Sequence, residues 1–139
     1  MAMSPRRTYV FHYKATAGRP SPVVSVGLFV GGQWRAAELY VDSGAFYTLI
    51  HATHAVAYGL DFKKGRKVFV QVGDGSLIPV FPHRLPMQIG GKRFEATIGV
   101  SEKLGVRFDL LGRQDVFQHF KICFHEQRKL VTFQTVDGS

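Results

Sequence analysis

Residues 39–45 read Leu-Tyr-Val-Asp-Ser-Gly-Ala, and they place a carboxylate, Asp42, at the end of an apolar segment. The segment 45–50 that follows is again mainly hydrophobic. A carboxylate in such surroundings is costly to bury unless it is hydrogen-bonded, shared with another group or used in chemistry. Ser43 adds a short hydroxyl and Gly44 removes side-chain bulk, so the triplet predicts a tight polar turn between buried segments. Taken alone, it is also typical of an ordinary turn between two strands.

A second motif, Leu110-Leu111-Gly112-Arg113, ends a predicted strand and leads into an amphipathic stretch from Gln114 to Phe120, where we expect a short helix. Between the two motifs, Gly73-Asp74-Gly75-Ser76 joins two apolar runs and predicts a hairpin, because Asp-Gly is a strong two-residue turn signal. The order Val-Asp-Ser-Gly-Ala, glycine-rich hairpin, Leu-Leu-Gly-Arg resembles the retropepsin family of aspartic proteases, the retrovirus-type enzymes with one lobe per chain. The resemblance spans residues 37–133.

The resemblance implies both a fold and a chemistry. The fold would be all-β, a closed barrel of the acid-protease type with one or two short helices and one lobe per chain. The activity would be that of an aspartic endopeptidase, in which two carboxylates share one proton and activate a water, without a metal or a cofactor. Because the chain has a single Asp-Ser-Gly, the second carboxylate would be Asp42 of another copy. The implied partners are therefore a second copy of the chain and a peptide or protein substrate.

The resemblance also assigns roles to the residues around Asp42, the implied catalytic residue. The positions that support the catalytic loop would be Ser43, Gly44, Leu110, Leu111 and Gly112. Ser43 would hydrogen-bond across the dimer axis, and Gly112 would allow close contact beneath the loop. The substrate-binding positions would be Ala45 beside the loop and Gly73, Asp74 and Gly75 at the tip of a flap that closes over the peptide.

One position departs from the family pattern. Many members have an acidic or amide residue two positions after the glycine, where this chain has Phe46. Arg113 therefore lacks the salt-bridge partner that usually braces the dimer, and Asp74 or Asp109 are the alternatives in this sequence. The departure keeps a second interpretation open, in which the chain is a non-catalytic dimerisation or peptide-binding module that retains the fold.

The composition bounds the remaining classes of function. With 139 residues, 45% of them hydrophobic, the chain predicts a single domain over 1–139, of which 1–7 form a mobile arm. One cysteine cannot form an internal disulfide, no apolar run is long enough for a membrane span, and the start lacks a secretory signal. We therefore expect a cytoplasmic protein with no membrane partner. The net charge of +8 leaves a basic nucleic-acid-binding β-barrel as a third interpretation, although the basic clusters show no recognised nucleic-acid motif.

Three other groups invite a chemical interpretation. His51 and His54 stand three apart in a predicted helix, but no third ligand is near in the sequence, so we interpret them as a solvated helix face and expect no metal. Cys123 lies in a predicted strand and is interpreted as a packing residue. Asp109 lacks the Ser/Thr-Gly that would form a second catalytic turn, so we expect a structural role.

Local patterns predict the other elements. Alternating apolar residues from Val24 to Val30 indicate a strand with one buried face, and Ala52, Ala55 and Val56 indicate a short helix that Gly59 ends. The predicted hairpins join 23–30 with 34–41 around Gly31-Gly32, 85–89 with 94–100 around Gly90-Gly91, and 122–124 with 130–133.

Overall fold

The computed structural model describes residues 5–136, and strands dominate this part of the chain. The strands are β1 Thr8–His12, β2 Lys14–Thr16, β3 Arg19–Ser21, β4 Val23–Val30, β5 Gln33–Val41, β6 Thr48–His51, β7 Val68–Gln71, β8 Leu77–Ile89, β9 Lys92–Ser101, β10 Asp109–Leu111, β11 Phe120–His125 and β12 Leu130–Thr135. The helix α1 covers Ala52–Ala57, and a single 3-10 turn covers Phe117–His119. The all-β class and the first helix are confirmed, whereas the helix expected over 114–120 is reduced to that turn. No helix in residues 5–136 has the length and apolarity needed to cross a membrane.

A seven-stranded sheet holds most of the core, in the order β4-β5-β10-β6-β9-β8-β7, and β4 also pairs with β8 at Gly27–Gln88 and Leu28–Met87. The predicted alternation in β4 is confirmed, because Val24, Val26, Leu28 and Val30 are all buried. Their neighbours from β5, β8 and β9 complete one continuous hydrophobic cluster. Burial of this cluster is what stabilises the sheet, since apolar area removed from water is the main favourable term in folding.

The three predicted hairpins are present as β4–β5, β8–β9 and β11–β12. One boundary was wrong, because the apolar run that follows Ser76 and the segment expected at 85–89 form one continuous strand, β8, in spite of three prolines. Proline removes one backbone donor, which a strand tolerates where one edge is unpaired. Pro79 lies where β8 pairs with β7, whereas Pro82 and Pro86 lie where it pairs with β9, so one edge remains unpaired at each.

A three-stranded sheet, β1-β12-β11, joins the two ends of the described chain. Phe133 of β12 is fully buried, with Phe11 and Phe120 packed edge-on against it at centroid distances of 5.5 and 5.3 Å. Of the arm predicted at 1–7, residues 1–4 lie outside the described residues. The Arg7 N–H donates to Thr135 Oγ1 at 2.9 Å, and the Thr135 N–H donates to the Arg7 carbonyl at 2.9 Å.

The short strand β10 brings the two sequence motifs together. It lies between β5, to which it is parallel through Leu111–Val41, and β6, to which it is antiparallel through Leu110–Leu49. Because β5 and β10 are parallel and end at paired residues, Asp42 and Gly112 leave the sheet side by side at the same edge.

Candidate active site

Asp42 is half-buried in a tight turn that begins directly after β5. The Gly44 N–H donates to Asp42 Oδ1 at 2.9 Å, and the Ala45 N–H donates to the Asp42 carbonyl at 3.2 Å. The Asp42 N–H donates to the Leu111 carbonyl at 3.1 Å. The polar turn that the sequence predicts is therefore present. Its carboxylate is oriented by the Gly44 N–H, and its backbone is bonded to the strand beside it.

The second motif passes directly beneath this loop. The Arg113 N–H donates to the Ala45 carbonyl at 3.0 Å, and the Gln114 N–H donates to the Phe46 carbonyl at 2.8 Å. A Cβ atom on Gly112 would lie 2.3 Å from the Tyr47 carbonyl oxygen, which is closer than real Cβ contacts come. The structure thus brings together the residues predicted to meet here, and it gives the physical reason for glycine at position 112.

Thr48 is a supporting residue that the sequence analysis missed. Its side chain is buried, and its Oγ1 accepts a hydrogen bond from the Gly112 N–H at 3.0 Å. A single polar residue within the hydrophobic segment 45–50 was the available signal, because buried hydroxyls are nearly always hydrogen-bonded. We call residues 42–48 and 110–114 together the floor.

The hairpin of β7 and β8 is the predicted flap, with its tip at 72–76. The Val72 N–H donates to the Ser76 carbonyl at 2.9 Å, and the Gly75 N–H donates to the Val72 carbonyl at 2.9 Å. Gly73-Asp74-Gly75 therefore forms a three-residue loop, and the two-residue turn expected at Asp74-Gly75 was wrong. The positive φ of +85° at Gly75 is the reason, because a type I turn followed by a left-handed residue closes a longer hairpin.

The flap tip has its own side-chain bonds. Asp74 Oδ1 accepts from the Ser76 hydroxyl at 2.5 Å and from the Ser76 N–H at 2.9 Å. Both hydrogen bonds lower the pKa of Asp74 below its ordinary value, because they stabilise the ionised carboxylate. The bond from the Ser76 hydroxyl has the larger effect. The tip thus presents a negative charge at neutral pH.

Two cavities meet at Asp42, with volumes of about 390 and 610 Å³. Both are lined by Asp42 and Leu110 from the floor and by Val72 and Gly73 from the flap. The smaller is completed by Gly44, Ala45, Phe46, Tyr47, Leu49, Val70 and Gln71, and the larger by Tyr40, Asp74, Leu104, Gly105, Val106 and Phe108. Together they form a mainly apolar cleft with one carboxylate at its centre and the flap along one side.

The predicted site residues are distributed unevenly around this cleft. Ala45, Gly73 and Asp74 line it, as do Gly44 and Leu110, whereas Leu111 and Gly112 are buried behind the loop. Ser43 is exposed next to Asp42. Neither Ser43 nor Gly75 is among the residues that line the two cavities within the described chain.

Phe46 and Arg113 contact each other at the rim of the cleft. The guanidinium carbon of Arg113 lies 5.6 Å from the centroid of the Phe46 ring, a cation–π distance, and Phe46 packs edge-on against Tyr47 at 4.9 Å. The aromatic ring thus occupies the place where the family pattern would provide a salt-bridge partner. Neither alternative partner is used, because Asp74 bonds to Ser76 and Asp109 bonds elsewhere.

Asp109 lies behind the floor, 2% exposed. Its Oδ1 accepts from the His51 N–H at 2.8 Å, and its Oδ2 lies 2.8 Å from His54 Nδ1. The carboxylate therefore ties the start of α1 to β10, which agrees with the structural role expected for it. The solvated helix face expected for His51 and His54 was wrong, because His51 is the last residue of β6 and one ring nitrogen of His54 binds Asp109. Burial, followed by the charge of Asp109, raises the pKa of the neighbouring Tyr58.

The remaining candidates lie outside the cleft. Within residues 5–136, no three His, Cys, Asp or Glu residues are grouped so that they could hold a metal ion. Cys123 is half-buried on β11, where it pairs with Thr132, and it faces a shallow groove that also includes Lys121 and His125.

Comparison with solved structures identifies the fold as that of the retropepsin-like aspartic proteases. A retropepsin-like aspartic protease from Rickettsia conorii aligns with a TM-score of 0.66 and 16% identity, over 99% of this chain and 98% of that one. EIAV protease in complex with the inhibitor HBY-793 aligns with a TM-score of 0.53 and 19% identity, over 76% of this chain and 92% of the viral one. The retroviral protease-like domain of Ddi1 from Leishmania major aligns with a TM-score of 0.50 and 16% identity, over 84% of this chain and 91% of that one.

No protein-family model and no curated protein matches the sequence. At identities below 20%, the structural matches define the fold and leave the activity to be argued from the site. The resemblance predicted from the two motifs is therefore confirmed at the level of the fold.

Proposed function

We propose that the chain is one half of an aspartic endopeptidase whose active site forms between two copies. The supporting observation is the position of Asp42, a half-buried carboxylate on a hydrogen-bonded floor, with an apolar cavity on either side and a flap alongside. The protease fold of the structural neighbours supports the same class of activity. One chain supplies a single Asp-Ser-Gly, so the second carboxylate has to come from a partner copy related by two-fold symmetry.

In the proposed dimer, the two Asp42 carboxylates share one proton, because two acids a few ångströms apart do not both ionise at low cost. The ionised carboxylate removes a proton from a water as the water attacks the peptide carbonyl carbon. The protonated carboxyl donates a hydrogen bond to the carbonyl oxygen, and a proton then passes to the leaving amine. The Gly44 N–H on Oδ1 keeps the carboxylate oriented throughout, which is the kind of preorganisation that catalysis requires.

The substrate would be an extended peptide that lies between floor and flap. Successive side chains of an extended chain point to opposite sides, so neighbouring residues would enter different cavities. The linings of both cavities are mainly apolar, with Leu110 and Val72 common to the two, so apolar side chains are favoured next to the scissile bond. Gly73 and Asp74 would cover the peptide and exclude water.

We extend the proposal to the assembly that this mechanism needs. The pairing of β4 with β8 supports a sheet that closes on itself as the predicted barrel, one lobe per chain. The functional unit would be a cytoplasmic homodimer in which Ser43 bonds across the axis, and the whole chain would be one domain.

A non-catalytic peptide-binding or dimerisation module is the second candidate. The Phe46–Arg113 contact favours it, because the family's bracing salt bridge is replaced by a cation–π contact, which is a weaker constraint on the geometry of two catalytic loops. Such a module would bind peptide in the same cleft without hydrolysis.

Cleavage of an unfolded protein substrate by the wild type and by Asp42→Asn separates the two candidates. We expect the variant to lose at least about 1000-fold in kcat/KM while it remains a dimer by sedimentation, because the paired general acid and base are lost. Asp61→Asn is the matched control, since that carboxylate is exposed and lies outside the cleft. An inhibitor of the aspartic-protease type should block the wild type. Full activity in Asp42→Asn would contradict the proposal, and an inactive wild type that still binds peptide would favour the module.

A further inference from the structure

Arg113 carries a positive charge beside the cleft and has no carboxylate partner within residues 5–136. Its N–H is bonded to the Ala45 carbonyl at 3.0 Å, so its backbone belongs to the floor, and its side chain is exposed. Within residues 5–136, no carboxylate oxygen forms an ion pair with its guanidinium. Among the described residues, the guanidinium contacts the ring of Phe46 at 5.6 Å from its centroid.

The acidic residues nearest to Arg113 in the motifs already have other partners. Asp109 is bonded to His51 and His54, and Asp74 is bonded to Ser76. Asp115, two residues after Arg113, has a carboxylate oxygen 2.8 Å from Arg84 and 2.9 Å from the Thr97 N–H. The charge of Arg113 therefore remains available to a carboxylate that comes from outside the described chain.

Phe46 connects this charge to the cleft. Phe46 is 48% exposed and lines the smaller cavity together with Asp42, while the guanidinium of Arg113 lies over its ring. A peptide that occupies this cavity must pass Phe46 and comes within reach of a long, flexible arginine side chain. The other residues that line the cavity are uncharged apart from Asp42. Arg113 contacts one of the lining residues, Phe46, and can therefore pair with an acidic group of that peptide.

We propose that Arg113 selects substrates with a glutamate or aspartate in the segment that occupies the Phe46 cavity. The inference rests on the proposed function, since it concerns the peptide that the same cleft would bind. A guanidinium forms directed, paired hydrogen bonds with a carboxylate, which gives it specificity for an acidic side chain over its amide. The net charge of +8 adds a general attraction for acidic peptides, so the experiment has to separate the local effect from the general one.

The test uses pairs of peptides, and the two members of a pair differ by Glu or Gln at one position near the cleavage site. That position is moved along the peptide from one pair to the next. We expect wild-type protein to prefer the Glu peptide by about fivefold in kcat/KM at one position of the series, the upper range for a partly exposed ion pair. The preference should decline as salt is raised. Arg113→Gln should abolish it, and Arg113→Lys should retain part of it.

Arg128→Gln is the matched control, because it removes the same charge from an exposed turn between β11 and β12. The Glu preference should survive in this variant if the effect is local. Phe46→Asp is a second, independent variant that gives Arg113 a carboxylate partner within the chain and should also abolish the preference. Phe46→Leu provides no carboxylate and should keep it.

Three outcomes would overturn the inference. One is a wild-type protein with the same kcat/KM for the Glu and Gln peptides at every position of the series. Another is a Glu preference that falls by the same factor in Arg128→Gln as in Arg113→Gln, which would indicate general attraction. A third is an Arg113→Gln protein that cleaves both peptides more slowly by one factor and dissociates more readily, which would make Arg113 a brace of the dimer.

Binding of the same peptides to Asp42→Asn, measured by fluorescence anisotropy, keeps this test separate from the proposed function. If the wild type cleaves neither peptide but Asp42→Asn binds the Glu peptide more tightly, the proteolytic function fails and the role of Arg113 stands. If the wild type cleaves both and neither rate nor affinity distinguishes them, the role of Arg113 fails alone. If neither peptide binds to Asp42→Asn, the role of Arg113 is contradicted as well.

Discussion

The floor and the flap face each other across the cleft, yet different kinds of hydrogen bonds hold them. The floor is joined by bonds between segments far apart in the chain, such as Asp42 to Leu111 and Gly112 to Thr48. The tip of the flap is held by bonds within residues 72–76, and none of its hydrogen bonds in the described chain reaches the floor. Regions with few long-range contacts open at lower free energy than a packed core. We therefore expect the floor to fix the carboxylate and the flap to move over a substrate.

This difference predicts that disruptive substitutions in the floor lower the stability of the whole domain. Gly112→Ala should cause the largest effect, because its Cβ would lie 2.3 Å from the Tyr47 carbonyl oxygen, which cannot move without displacing the loop that follows Asp42. We expect a loss of about 3 kcal/mol in unfolding free energy. Urea denaturation measures it. Gly105→Ala is the control, because a Cβ there meets no atom within 4 Å and should cost little. Equal stability of the two variants would contradict a tightly packed floor.

Thr48→Val tests a single hydrogen bond of the floor. The substitution nearly preserves volume but leaves the buried Gly112 N–H without its acceptor, so we expect a loss of about 1–3 kcal/mol in unfolding free energy. Thr48→Ser keeps the hydroxyl and should recover most of that loss. A Val variant as stable as the Ser variant would show that the hydroxyl contributes nothing.

At the flap, Gly75→Ala should have a smaller and more local effect. Its φ of +85° strains any residue with a Cβ, at a cost of about 1 kcal/mol. Because the tip makes few long-range contacts, we expect the change mainly in KM for peptide, with little loss of global stability. Gly18→Ala is the matched control, since its φ of +76° brings a similar backbone strain, whereas Gly18 lines neither of the two cavities and its substitution should leave KM unchanged. A large drop in unfolding free energy for Gly75→Ala would mean that the flap is part of the core.

The smallest expected effect concerns protonation at the flap tip. Bonds from Ser76 lower the pKa of Asp74, so the ionised carboxylate stabilises the turn above the ordinary pKa of aspartate. That stabilisation is lost as pH falls through the lowered pKa. In an NMR titration, the pKa of Asp74 should lie below its ordinary value and should rise towards it in Ser76→Ala. An unchanged titration in that variant would contradict the proposed cause.

The sequence predicted the floor better than it predicted its surroundings. Val-Asp-Ser-Gly and Leu-Leu-Gly are both recognisable locally, because each is an apolar strand that ends close to a glycine. The family pattern predicts that the two motifs meet. The glycine pairs at 31–32 and 90–91 also mark hairpins that are present, because tight reversals need the residues that tolerate positive φ.

The features that the sequence could not predict depend on contacts between distant segments. Thr48 and Gly112 meet because β6 and β10 pair, and the Asp109 carboxylate reaches His51 and His54 for the same reason. The continuity of β8 depends on which of its edges is paired, which local proline signals do not reveal. The contact of Arg113 with Phe46 likewise follows from the passage of the second motif beneath the first.

Mixing wild-type protein with Asp42→Asn, at constant total concentration and after subunit exchange, shows whether the active site is shared between two copies of the chain. If each active site needs an intact Asp42 from both copies, random pairing in an equal mixture leaves about one quarter of the wild-type activity. If each chain hydrolyses peptides by itself, the mixture retains about one half. We predict one quarter, and a value of one half would contradict an active site shared between two copies.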